Sequence, residues 1–135
     1  MLVRPITKEE RLQSAQLFAI AFESPFDPND LTPFAENPCI WAAFDEESGE
    51  MMSTVYVTDY RVQFDGGRYK MGGIGGVASL PQYRRAGGIR ACFQKALPIL
   101  YREGYVFSYL YPFSTAYYRK FGYESCVQRY LAVLD

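Results

Sequence analysis

The stretch from Arg85 to Glu103 leaves this chain the fewest options. Ile89, Cys92, Phe93, Ala96, Leu97, Leu100 and Tyr101 recur at helical spacing and make an unbroken apolar stripe. Gly104 follows, the residue type that most readily ends a helix in a left-handed turn. Apolar segments of strand length lie on both sides, Arg68 to Leu80 before it and Tyr105 to Tyr111 after it. A helix joining two strands of one sheet is a right-handed crossover, so these two strands should be parallel neighbours. Pro98 inside the stripe removes one backbone donor, and a kink or frayed turn is expected there.

From Cys39 to Arg68 the segments are joined too tightly for helical crossovers, so that part of the sheet should be antiparallel. Met51 to Phe64 alternates in its middle, Val55 and Val57 against Tyr56 and Thr58. Phe64-Asp65-Gly66-Gly67 signals a hairpin turn. Cys39 to Phe44 is a short apolar strand closed by the turn Asp45 to Gly49. Met1 to Ile6, interrupted by Pro5, fits only an edge strand. Thr7-Lys8-Glu9-Glu10 spells a capping box, and Leu12, Ala15, Phe18, Ala19 and Phe22 continue it as a helix. After Pro112 a short helix is expected from Ser114 to Lys120, stopped by Gly122, and then a last strand from Gln128 to Leu134. The reading is a single α/β domain over residues 1–135, with a mixed, mostly antiparallel sheet flanked by helices.

Composition removes several function classes. Fourteen basic and 15 acidic residues leave a net charge of −1, which argues against nucleic acid as a partner. There is no histidine, so a Ser-His-Asp or Cys-His arrangement is excluded within this chain. Any acid or base must be Asp, Glu, Tyr, Cys, Lys, a chain terminus or water. Cys39, Cys92 and Cys126 are an odd, widely spaced set that fits a reducing cytoplasm rather than a disulfide framework. No paired cysteines suggest zinc or haem, so no metal is expected. No apolar run is long enough to span a membrane.

Two chemical readings compete for Met71 to Arg90, MGGIGGVASLPQYRRAGGIR. Gly73-Ile74-Gly75-Gly76-Val77-Ala78 formally matches the dinucleotide fingerprint GxGxxA. That motif must open a helix, and here Ser79, Leu80 and Pro81 follow instead. The stronger signal is Arg84-Arg85-Ala86-Gly87-Gly88-Ile89, a basic loop running straight into the long helix. Unpaired N–H groups at a helix start attract anions, glycines let a phosphate approach the backbone, and an arginine adds charge. Elsewhere, Glu23 to Pro38 carries four prolines, four acids and two phenylalanines. It reads either as a solvated loop or as the wall of a pocket for a cationic amine.

MGGIGGVASLPQYRR, RRAGGIR and PFSTAYYRKFGYE, in that order, give the chain an end-to-end resemblance to the GNAT superfamily of N-acetyltransferases. It is most similar to the N-terminal acetyltransferase domain of the enhanced-intracellular-survival (Eis) type. The resemblance implies acetyl-CoA as co-substrate and a small-molecule primary amine as acceptor. It places Val77, Ala78 and Ser79 on the strand that meets the pantetheine arm. It places Arg84, Arg85, Gly87 and Gly88 in the pyrophosphate loop, whose last position is Ile89 where the family has Gly or Ala. By position before Arg119-Lys120-Phe121-Gly122-Tyr123, it makes Tyr118 the general acid toward the CoA thiolate, with Ser114 near the cofactor. Eis-type proteins are roughly three times this length. They carry further domains, and their general base is a distant C-terminal carboxylate. A fragment or minimal relative is therefore implied, lacking the final strand of the sheet and prone to pair with a second copy. Two functions follow: an N-acetyltransferase, or a CoA-binding or assembly module without catalysis of its own.

Overall fold

The computed structural model describes residues 1–30 and 39–127. Five strands form one sheet in the order β1-β2-β3-β4-β5: Leu2–Pro5, Cys39–Phe44, Met51–Phe64, Gly67–Ser79 and Tyr105–Leu110. The first three junctions are antiparallel and the last is parallel. The crossover between β4 and β5 carries the long helix, as its apolar stripe requires. Helix α1 spans Arg11–Phe22, α2 Gly88–Arg102 and α3 Thr115–Arg119. Part of the proline-rich segment and the expected strand from Gln128 lie outside the described residues.

The helices sandwich the sheet. Alternate residues of the strands face opposite sides. One face presents Trp41, Ala43, Val55, Val57 and Ile74 to Cys92, Phe93, Ala96 and Leu100 of α2, with Tyr118 of α3 packed among them. The other presents Ala42, Phe44, Met51, Ala78 and Leu80 to Leu17 of α1. Phe93 is the largest fully buried side chain among the described residues and stacks on Phe121 with ring centroids 4.4 Å apart.

The hairpin between β3 and β4 turns at Asp65 and Gly66, both with positive φ, as two-residue hairpins require. Pro5 lies on β1, an edge of the sheet. Several boundaries differ from the sequence reading. Helix α1 begins at Arg11, and Glu10 reaches back as expected: its carboxylate accepts the Thr7 N–H at 2.8 Å, and it also takes a two-pronged bond from Arg4 at 2.7 and 2.8 Å. The Arg4 bond, followed by the Thr7 backbone bond, holds the Glu10 carboxyl down to about 2 despite partial desolvation. Only half of the capping box forms. The inward stripe of α1 is Ser14, Ala15, Leu17 and Ala19, while Leu12 and Phe22 lie exposed. Buried Ser14 was hidden from a hydrophobicity pattern because its hydroxyl is bonded to that of Tyr56 at 2.8 Å. Helix α2 starts at Gly88, three residues later than expected, and continues through Pro98 to Arg102. A proline there costs one intrahelical bond, and the packed stripe on either side holds the helix together. Tyr101, at the far end of that stripe, is exposed.

Candidate active site

The site begins where β4 and β5 part. Their ladder ends at Ile74 paired with Leu110, while β4 continues to Ser79 beside β3 alone. The β3–β4 register is also broken: Thr54 pairs with Ala78 and Tyr56 with Gly75, so Gly76 and Val77 together oppose Val55. This is a β-bulge, and it re-aims the backbone. The Gly76 carbonyl accepts a bond from Thr54 Oγ1 at 3.0 Å. Across a trans peptide the Val77 N–H points the opposite way, away from the Thr54 hydroxyl. Two residues on, Leu80 N–H donates to Met52 O at 3.0 Å, so by strand alternation the Ser79 N–H faces away from β3. Beyond the splay, β4 thus offers backbone donors on the side that β5 has left.

The glycines before the bulge have specific tenants. A Cβ on Gly73 would lie 2.5 Å from the ring of Tyr60. One on Gly76 would lie 2.5 Å from the ring of Tyr56, and Gly76 has φ +50° besides. Glycine is bare there because tyrosines of β3 lie across β4, not because a ligand needs the room.

Past Ser79 the chain makes a short 3-10 turn, Pro81–Tyr83, before the basic loop. Tyr83 donates its hydroxyl to Glu50 Oε2 at 2.7 Å, and Ala86 N–H donates to Tyr83 O at 3.1 Å. The loop is thereby tied to the start of β3. Arg84 and Arg85 are both exposed, and Arg85 has φ +69°, a conformation costing a non-glycine residue roughly 1–2 kcal/mol. Gly87 caps the helix at φ +86°. The first helical bond runs from Ala91 N–H to Gly87 O, which leaves the N–H groups of Gly88, Ile89 and Arg90 without intrahelical acceptors. Gly88 is wedged onto the sheet: a Cβ there would meet Ser53 Cβ at 2.9 Å and Ala43 Cβ at 3.3 Å. Ser53 in turn bonds Ser79 hydroxyl to hydroxyl at 2.6 Å. One buried serine thus fixes the splayed strand and the helix start against each other.

Helix α3 approaches from the same face as α2. Ser114 is its N-cap, its hydroxyl accepting the Tyr117 N–H at 3.3 Å, so its side chain is engaged in the fold. Tyr118 is 4% exposed and stands edge-on to Phe93, Phe113, Tyr117 and Tyr123. Burial, reinforced by the neighbouring tyrosines, pushes its hydroxyl up to about 12, so it remains a proton donor at any physiological pH. Among the described residues its hydroxyl is tied to no side chain, whereas that of the neighbouring Tyr123 is bonded to Ser108 at 2.5 Å. A cavity of about 680 Å³ opens beside Tyr118, bounded by Leu110, Tyr111, Thr115, Tyr123 and Glu124.

Two of the predicted residues, Val77 and Tyr118, share one core. Val77, Ile89 and Tyr118 pack against the same buried cluster around Phe93. Ala78 is the exception within its group: its side chain is buried on the α1 face and only its backbone could touch a ligand. Sequence reasoning missed Ser53, Thr54, Glu50 and Tyr83. The available signal was two polar residues, Ser53 and Thr54, inside an apolar strand and fully buried. Among the described residues no group of His, Cys, Asp and Glu could hold a metal, and no helix is long and apolar enough to cross a membrane.

A family model described as an acetyltransferase (GNAT) domain matches residues 2–126. A search of curated proteins finds no match. Among solved structures, a probable N-acyltransferase from Enterococcus faecalis V583 is 35% identical with a TM-score of 0.82, covering 91% of this chain and 32% of that one. Eis1 from Mycobacterium abscessus is 19% identical with a TM-score of 0.77, covering 90% and 31% respectively. Glucosamine-6-phosphate N-acetyltransferase from Arabidopsis thaliana is 13% identical with a TM-score of 0.76, covering 99% and 98%. The chain spans about a third of the first two proteins and nearly all of the third. Below a quarter identity such likeness speaks to fold alone, but the family match covers almost the whole sequence. With the family model matching residues 2–126, the chain belongs to the GNAT acetyltransferase family.

Proposed function

We propose that this domain is an acetyl-CoA-dependent N-acetyltransferase that acts on a primary amine of a small, cationic acceptor. The observation that carries the reading is the parting of β4 from β5 after Ile74, with the bulge at Gly76 and Val77 and the open start of α2 beyond it. Acetyl-CoA supplies an activated thioester carbonyl. The Ser79 backbone serves the pantetheine arm, and the Val77 N–H serves the carbonyl oxygen, where a pre-aimed donor counts most as charge develops. Gly87, Gly88 and the N–H groups behind them receive the pyrophosphate, with Arg84 and Arg85 adding charge.

Tyr118 is assigned to the sulfur. Its phenol sits at about 12, and an ordinary thiol near 8.5, so complete proton transfer to a thiolate would be uphill by about 3.5 units, or roughly 5 kcal/mol. Its role is then to donate a hydrogen bond to the departing sulfur while the proton released by the amine settles the balance. An alkyl amine of pKa about 10 costs roughly 4 kcal/mol to deprotonate at pH 7, and a base or ordered water must offset this.

The test is release of free thiol from acetyl-CoA by the full chain with a panel of primary amines. Release that depends on the amine supports the reading. A second reading, a CoA-binding or assembly module, draws on the chain covering only 32% of the E. faecalis protein. It predicts binding of acetyl-CoA with no thiol released. A third property, self-association through a sheet edge, would appear as a dimer in sedimentation.

A further inference from the structure

Gly75 is a glycine that the fold does not need. Its φ lies outside the left-handed region, unlike that of Gly76 beside it. A Cβ built on it would meet nothing within 4 Å among the described residues, whereas its neighbours Gly73 and Gly76 are filled by the rings of Tyr60 and Tyr56. Glycine inside a strand is a net loss, since it packs nothing and costs conformational entropy. Its position is the informative part. It is the first residue of β4 past the last rung with β5, immediately before the bulge that turns the Val77 N–H outward. As the cross-strand partner of Tyr56 it lies on the α1 face, opposite the face that holds α2 and Tyr118.

The same face brings three tyrosines to that point. Tyr56 and Tyr60 stand on either side along β4, and Tyr109 of β5 pairs with Gly73. Tyr60 and Tyr109 are each about half exposed. The two rings cover Gly73 and Gly76, three residues apart and so about 10 Å along the strand, with a slot over the bare Gly75 between them. Aromatic rings flank it, and a ring of that kind attracts an ammonium group and packs against an alkyl chain.

We propose that Gly75 is the specificity-determining floor of the acceptor entry, and that the slot takes the amine end of an unbranched alkylamine. This rests on the acetyl-transfer reading above. The amine would pass between the tyrosine rings from the α1 face and meet the carbonyl held by Val77. Tyr118 would act from the opposite face.

The experiment is a binding comparison that needs no turnover. The probes are CoA, and CoA extended from its sulfur through –CH2–CO–NH– to either a 4-aminobutyl or a cyclohexyl arm. For the wild-type chain, the aminobutyl conjugate should bind more tightly than CoA, and the cyclohexyl conjugate should not. For Gly75→Val, a β-branched side chain suited to a strand, the melting temperature should not fall. CoA affinity should be unchanged, and the aminobutyl conjugate should bind about tenfold or more weakly than to wild type. Unchanged affinity of Gly75→Val for that conjugate would overturn the proposal, as would equal wild-type affinity for the cyclohexyl conjugate. Wild-type protein that does not bind CoA at all would instead remove the acetyl-transfer reading, and this inference with it.

Discussion

Replacing Gly88 by alanine tests the joint between the helix and the sheet. The added methyl would sit 2.9 Å from Ser53 Cβ and 3.3 Å from Ala43 Cβ. Both neighbours are completely buried and neither can swing aside, because Ser53 is fixed by its bond to Ser79. Alanine gains up to about 1 kcal/mol of helix propensity over glycine. Overpacking a close-fitted site costs about 1–3 kcal/mol. The overlap is severe, so the upper part of that range applies, and a net loss of about 1–2 kcal/mol is expected. At this chain length that lowers the melting temperature by roughly 3–8 °C. Because α2 must lift to make room, the N–H groups at its start also move, and acetyl-CoA affinity should fall with stability. Urea unfolding and calorimetry measure the two effects. Adding Ser53→Gly should restore part of the stability by emptying the space beneath. A Gly88→Ala protein as stable as wild type and binding acetyl-CoA equally well would refute this account of the joint.

Gly76→Ala should cost about 2–4 kcal/mol, since left-handed strain adds to displacement of the Tyr56 ring, and chemical denaturation will show it. Glu10 has its carboxyl lowered from 4.5 to about 2, so it contributes stability that is complete above its unfolded value and lost as pH falls from about 4.5 toward 2. The pair with Arg4 is partly solvated, so the loss should be about 1 kcal/mol, and Glu10→Gln should flatten that limb of the stability–pH profile. Tyr118→Phe keeps the packing against Phe93 and should leave acetyl-CoA affinity within about twofold of wild type. In a form of the protein that turns over, losing the hydrogen bond to the departing sulfur should slow thiol release by about 100-fold, and an unchanged rate would remove Tyr118 from the chemistry.

The order from β2 to β5 was legible because short connections mark hairpins and the stripe of α2 marks a crossover, whereas the antiparallel pairing of β1 with β2 across α1 was not. The loop and Tyr118 were legible through the motif resemblance. What escaped detection shares one physical cause: polar or glycine residues whose role is defined by a partner distant in sequence. Ser14 reads as a polar interruption until Tyr56 is seen against it. Ser53 looks out of place in an apolar strand until Gly88 and Ser79 close over it. The glycines from Gly72 to Gly76 looked like one ligand-facing run. They divide into two covered by tyrosine rings, Gly72 in ordinary contact with Leu100 and Val57, and the open Gly75. The start of α2 was misplaced because Arg84 and Arg85 suit a helix, whereas Arg85 is held left-handed by the turns around it.

The central claim is that the parted strand and the start of α2 together bind acetyl-CoA. Calorimetric titration of the full chain with acetyl-CoA tests it most directly, with NAD as the comparison. The account predicts one acetyl-CoA per chain, no binding of NAD, and affinity roughly tenfold weaker in the Arg84→Ala, Arg85→Ala double variant. A folded chain that binds no acetyl-CoA, or a double variant that binds it as tightly as wild type, would contradict it.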